Sequence, residues 1–263
     1  MRIEILQRRM NLLDKLAVRK RPILACLLQP GDIELPYRHA EICVENGADI
    51  LEVSLPCKHP YLDGAVVTQS MQRALATGMS QRRMELELSM LRERVSDTAI
   101  VLMGYRNLKL SRVRRGYEAY RSVDGILQVG SSTFRRLDST IASGPHAIHR
   151  IGFVSDRLNA DEVASAKRAG GYVMLQAAGG KTGVRRSFSK TNATKVARLR
   201  EAGVAIPILL GFGISTPAHA REALRCGADG VIVGSACTVH ARTGAEKLQR
   251  FIADLRVALD GAQ

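Results

Sequence analysis

Residues 206–235 read IPILLGFGISTPAHAREALRCGADGVIVGS. Two short apolar runs, IPILLGFG (206–213) and GVIVGS (230–235), flank a segment with helical punctuation. Ser215-Thr216-Pro217 offers capping hydroxyls followed by proline at a first helical position. Gly227 stands where that helix should stop. The stretch therefore reads strand, helix, strand, the unit from which parallel sheets are built.

The same theme of helix end, glycine turn and buried strand recurs in ENGADILEV (45–53) and RAGGYVML (168–175). Extended to the whole chain, it predicts eight strands: 23–29, 49–55, 99–105, 125–130, 147–154, 172–177, 206–213 and 230–235. Helices are expected at Leu35–Glu45, Gln69–Met79, Met84–Val95, Ala160–Arg168, Ala193–Glu201, Pro217–Arg225 and Ala245–Leu259. No G-x-G-x-x-G follows the first strand, which weighs against an open doubly wound sheet. The expectation is an α/β chain forming a single (β/α)8 TIM barrel over residues 1–263, with an N-terminal helix in the amphipathic stretch 1–21.

Composition narrows the function classes. No run of roughly 18 apolar residues exists to cross a membrane, and residues 1–21 lack the apolar core of a signal peptide. A cytoplasmic location is expected. The five cysteines form no CxxC pair, and their odd number argues against a disulfide framework. Cys57 alone falls in a candidate active-site loop. The net charge of +14 suits nucleic acid, an anionic substrate or simply a basic surface. The bases are scattered (Arg112, Arg114, Arg115, Arg121, Arg135 and Arg136), and the chain has no Trp and 4% aromatics. A nucleic-acid reader usually interleaves bases with stacking residues, so nucleic acid is disfavoured as a partner.

Barrels commonly bind phosphate at the loops after their last strands. Three glycine segments fall there: Gly179-Gly180-Lys181-Thr182-Gly183, Gly211-Phe212-Gly213-Ile214-Ser215, and Gly234-Ser235. Small residues let backbone N–H groups approach an anion, and a helix N-terminus adds favourable dipole charge. The first segment lacks P-loop spacing and reads better as a lid, with Lys181, Arg185 and Arg186 near the anion. A phosphorylated small molecule is the expected ligand.

Glu52 interrupts the otherwise apolar second strand. Buried parallel strands are near-continuous hydrophobic runs, so this carboxylate is either paired with a core base or functional. Burial would raise its pKa and suit it to proton transfer. Eleven residues on, Asp63 precedes Gly64; Asp-Gly is also a common turn. Together Glu52 and Asp63 could face the same mouth as the phosphate loops and divide acid and base roles. His59 lies close to Asp63, with a surface loop as the equal alternative. The six histidines show no metal-ligand spacing, and no metal is expected.

These residues resemble the tryptophan synthase alpha-chain family from about Arg21 to Leu259. The likeness is carried by GADILE (47–52), PYLDG (60–64), VLMGYRN (101–107), GFGIS (211–215) and GSA (234–236), in order and at similar spacing. The resemblance implies a cofactor-free lyase that splits indole-3-glycerol phosphate into indole and glyceraldehyde 3-phosphate. It implies Glu52 as acid/base, Asp63 as the partner of the indole N–H, and Thr182 as the loop threonine that orders the aspartate. Gly183, Gly213, Gly234 and Ser235 fall at phosphate-contacting positions, and Tyr105 and Asn107 at the end of the third strand. The chain departs from the family pattern at Ser54, where glycine is usual, and at Pro56-Cys57-Lys58-His59-Pro60, where His59 replaces an acid. It departs again at Gly130, at Met174 in place of a tyrosine, and at Ala177-Ala178. Two of these changes alter the loop with which the family touches its beta chain. Both a stand-alone lyase and a subunit needing a beta-like chain are compatible with the sequence. So are an aldolase-type lyase on another phosphorylated substrate and a non-catalytic ligand-binding partner.

Overall fold

The computed structural model describes residues 12–18, 20–32, 36–109, 120–129, 140–142, 147–182 and 191–262. Its strands are β1 (Ile23–Leu28), β2 (Ile50–Ser54), β3 (Ala99–Gly104), β4 (Gly125–Gln128), β5 (Thr140–Ala142), β6 (Ile148–Arg150), β7 (Gly152–Val154), β8 (Val173–Gln176), β9 (Ile208–Gly211) and β10 (Gly230–Val233). Its helices are α1 (Leu12–Val18), α2 (Pro36–Glu45), α3 (Ala65–Ala76), α4 (Gln81–Arg94), α5 (Ala160–Lys167), α6 (Asn192–Glu201), α7 (Pro217–Arg225), α8 (Ser235–Thr243) and α9 (Ala245–Asp260).

The sheet order is β5-β6-β4-β3-β2-β1-β10-β9-β8-β7, and every pairing but β5–β6 is parallel. The two ends of this order meet. Only Ile151 separates β6 from β7, so residues 148–154 are one extended run. On one side Ile151 N–H donates to Ile126 O at 2.9 Å; on the other Gly152 N–H donates to Tyr172 O at 2.9 Å. The fifth expected strand thus closes the eight-stranded barrel. β5 is an added antiparallel strand outside it.

Side chains alternate between two cores, as strand geometry requires. Leu24, Cys26, Leu51, Val53, Ile100 and Leu102 point outward under the helices. Ile23, Ala25, Leu27, Ile50, Val101, Met103, Leu209 and Ile232 fill the barrel. The floor is plugged by α1: Leu12 is fully buried, and Lys15 Nζ meets Asp124 Oδ1 at 3.0 Å. A Cβ at Gly171 would lie 2.6 Å from Leu12, so the glycine before β8 makes room for this plug.

Three aspartates stitch the floor. Asp49, Asp124 and Asp229 accept the amides of Leu24, Ile100 and Ile208 at 2.9, 2.8 and 2.6 Å. Each also pairs with arginine: Arg21 and Arg256, Arg92, and Arg200 respectively. The aspartate of the recurrent Gly-Ala-Asp is thus a structural clasp at the end opposite the mouth.

Helix bounds move where caps decide them. α3 begins at Ala65, four residues before the expected Gln69, directly behind the Asp63-Gly64 turn. Ser80 caps α4, and its side chain accepts from Arg83 N. α8 has no counterpart in the predicted helices. It starts on the last residue of the eighth expected strand and stops at Gly244, whose φ is 131°.

Candidate active site

Glu52 sits on the inner face of β2, level with Leu27 and Val101 on the adjoining strands. It is 1% exposed, and burial pushes its pKa up to about 7. Among the described residues no base pairs with it. Its described partner is Tyr172, whose phenol donates to Oε1 from across the barrel and partly offsets the effect of burial. Tyr172 is fully buried just before β8. Of the two readings left open by the sequence, the core ion pair is therefore excluded for Glu52 among the described residues.

Asp63 lies in the β2–α3 loop and is also buried. Tyr105 Oη donates to its Oδ2 at 2.6 Å, and Thr182 Oγ1 to its Oδ1 at 3.0 Å. Burial raises its pKa, opposed by these two hydrogen bonds and by the charge of Lys181. The loop after β8 is laid against this turn: Thr182 N–H donates to Leu62 O at 2.8 Å, and Gly64 N–H donates to Thr182 Oγ1 at 2.9 Å. A Cβ on Gly64 would fall 2.0 Å from Thr182 O. Glycine is needed here for close approach, since its φ of −80° suits any residue.

Neighbouring polar groups fix this corner. Asn107 accepts from Tyr105 N–H at 3.2 Å and donates to Pro56 O at 2.9 Å, tying the β3 loop to the β2 loop. Gln128 donates to the carbonyls of Tyr105 and Leu108 at 3.2 and 3.1 Å. Gln176 donates to Gly180 O at 2.8 Å, which supports the loop carrying Thr182.

Glu52 and Asp63 open into one cavity. Leu27, Met103, Val129, Met174 and Phe212 give it apolar walls, and Tyr105 and Thr182 border it beside Asp63. Met174 packs its methyl over Gly211, where a Cβ would lie 2.8 Å away. Across the cavity are Gly213, Ile214, Gly234 and Ser235. Gly213 has a φ of 85°, which glycine adopts without strain, and Phe212 before it has 70°. Ser235 opens α8, so the unpaired amides and positive dipole end of that helix face the cavity. No lysine or arginine is among the described lining residues, so an anion there would rest on backbone N–H groups and the helix end.

Of the residues singled out in the sequence, Glu52, Asp63, Tyr105, Met174, Thr182, Gly213, Gly234 and Ser235 meet at this cavity. Gly183, Gly130, Arg185 and Arg186 lie outside the described residues. The charge of Lys181, the residue expected beside the anion, acts on Asp63. His59 is exposed, and Cys57 is half-buried against the inner core. Sequence reasoning missed Tyr172 and gave no role to Gln128. An inward-facing aromatic beside a strand looks like ordinary core until its hydroxyl is seen to find a carboxylate.

A family model for the tryptophan synthase alpha chain matches residues 31–260. The tryptophan synthase alpha chain of Burkholderia thailandensis is 32% identical over 267 residues, covering 96% of each chain. That of Geobacter sulfurreducens is 32% identical over 91% of this chain and 92% of its own. The crystal structure of the tryptophan synthase alpha subunit from Legionella pneumophila superposes with a TM-score of 0.77 at 25% identity, over 96% of this chain and 99% of that one. With this barrel, this site and these relatives, the chain belongs to the tryptophan synthase alpha chain family.

Proposed function

We propose that this barrel cleaves indole-3-glycerol phosphate to indole and glyceraldehyde 3-phosphate. The observation that carries the reading is the placing of two buried carboxylates, Glu52 and Asp63, on one cavity with apolar walls that Gly213, Gly234 and Ser235 also line. The chemistry is a retro-aldol cleavage. Protonated Glu52 delivers its proton to C3 of the indole ring, and Asp63 accepts a hydrogen bond from the ring N–H as positive charge develops there. The carboxylate of Glu52 then takes the proton of the adjacent glycerol hydroxyl. That oxygen's electron pair forms the aldehyde C=O, the C3–carbon bond breaks, and its electrons restore the aromatic ring. The net change moves one proton from hydroxyl to C3 and returns Glu52 to its starting form. A carboxyl with a pKa of about 7 suits both halves of this cycle near neutrality. The amides at Gly213, Gly234 and Ser235 would hold the phosphate and set the reacting carbon.

A lyase active on its own is supported by the loop geometry. Thr182 engages Asp63 and Leu62, all residues of this chain. A tryptophan synthase beta-like partner would then receive indole rather than assemble the site. Incubation of the purified chain with indole-3-glycerol phosphate should release indole, and Glu52→Gln should abolish the release. No indole with or without an added beta chain would sink the reading.

A further inference from the structure

The chain has 39 lysines and arginines against 25 acids. On the outer helices many exposed bases stand beside an acid, as Arg38 does with Glu41, Arg83 with Glu87 and Arg225 with Glu222. The loops on the carboxylate side of the mouth differ. Lys58 follows β2, Arg106 and Lys109 follow β3, and Lys181 follows β8; all four are exposed. In the described parts of these loops (55–64, 105–109 and 177–182) the one acid is Asp63, which is buried in the site. The nearest acid from another loop, Asp156, is half-buried against Gly179, and its charge acts on Lys195.

Three contacts gather these bases around one rim. Asn107 donates to Pro56 O at 2.9 Å, tying the β3 loop to the loop that carries Lys58. Arg106 follows Tyr105, which lines the cavity, and its charge acts on Tyr61, whose ring meets that of Tyr105 edge-on at 5.1 Å. Lys181 precedes Thr182, whose N–H bonds Leu62 O at 2.8 Å and so carries the lysine across to the same side.

The cavity beneath has two carboxyl groups and no lysine or arginine among its described lining residues. Asp63, when ionised, repels a phosphate dianion on its way in. Exposed bases at the rim offset that repulsion over several ångströms and raise the local concentration of the anion. They can do so without touching the bound ligand. We propose that Lys58, Arg106, Lys109 and Lys181 form a basic collar that draws a phosphorylated ligand into the mouth past Asp63 and does not hold it once bound. The collar takes a phosphorylated ligand from the lyase reading, but its test needs no turnover.

The test is the association rate of indole-3-propanol phosphate with the full chain by stopped flow. The chain has no Trp, so the ligand's own indole fluorescence reports binding without a protein indole signal. Lys58→Glu combined with Arg106→Glu should slow association about tenfold at about 0.1 M salt, where the screening length is about 10 Å, and leave dissociation unchanged. The difference should vanish at about 1 M salt, where that length is about 3 Å. Arg198→Glu combined with Arg221→Glu, at exposed positions of α6 and α7, makes the same change in net charge and should leave association within about twofold of the parent. Indole-3-propanol, which lacks the phosphate, should associate equally with all three proteins. The proposal is overturned if the mouth reversal leaves the rate unmoved or changes only dissociation. It is overturned equally if the helix reversal slows binding as much, if the uncharged ligand is slowed alike, or if the phosphorylated ligand does not bind. Indole release by the unmutated protein decides the lyase reading separately. Its absence sinks that reading, while salt-sensitive association slowed at the mouth still supports the collar.

Discussion

The hydroxyl of Tyr172 donates to the carboxylate of Glu52 across the barrel, joining two residues 120 positions apart in the chain. Both are buried, and the tyrosine is the only hydrogen-bonding partner described for this glutamate. Its bond favours the ionised carboxylate, while burial favours the neutral acid, and burial has the larger effect. Tyr172→Phe removes the opposing influence. The pH–rate limb belonging to Glu52 should move above its position near 7, and kcat at neutral pH should fall about tenfold, as for one hydrogen bond to a charged group. An unmoved limb would refute the role given to Tyr172.

Glu52 also makes stability depend on pH. Its pKa rises from 4.5 to about 7 on folding, so the folded state binds its proton more tightly. The stability it contributes is full below pH 4.5 and is lost as pH rises through 7. Glu52→Gln, which cannot ionise, should escape that loss. Relative to the parent it should gain roughly 3 kcal/mol between those limits. Urea unfolding at a series of pH values measures the difference, and a gain that does not vary with pH would contradict the assignment.

Thr182 positions Asp63 through one hydroxyl that donates to the carboxylate and accepts from Gly64. Thr182→Val keeps the shape and deletes both bonds. Turnover should fall about tenfold or more, with the melting temperature nearly unchanged because the loop lies at the rim. Gly64→Ala should be more severe, since its Cβ would fall 2.0 Å from Thr182 O and push the loop away. Steady-state assays of both variants check the order.

Ser235 opens α8 and lines the cavity, where it is proposed to meet the phosphate. Ser235→Ala removes the hydroxyl but leaves the amides and the helix end. KM should rise a few-fold with kcat unaltered, the pattern of a contact made equally in ground and transition states. A fall in kcat at constant KM would place Ser235 in the chemistry instead.

Much of this molecule is written in local pattern. Eight apolar runs separated by capped helices announce a parallel barrel, because the period of burial and the residues that end helices act over a few positions. The run 147–154 was legible as a strand, although only its hydrogen bonds on both sides show it closing the ring. α8 escaped because it begins on the final residue of a strand, with no turn between the two to mark its start.

At the site, the sequence by itself determined which residue types could do chemistry: a glutamate interrupting a buried strand, an aspartate before a glycine, and glycines after the last strands. It could not decide whether Glu52 was matched by a core base or by nothing but a phenol, nor why Gly64 had to be glycine. Those answers depend on Tyr172 and Thr182, each more than a hundred residues away along the chain. Only closure of the barrel brings such residues within 3 Å, and burial at that depth, set by the whole surrounding wall, is what lifts Glu52 to a useful pKa.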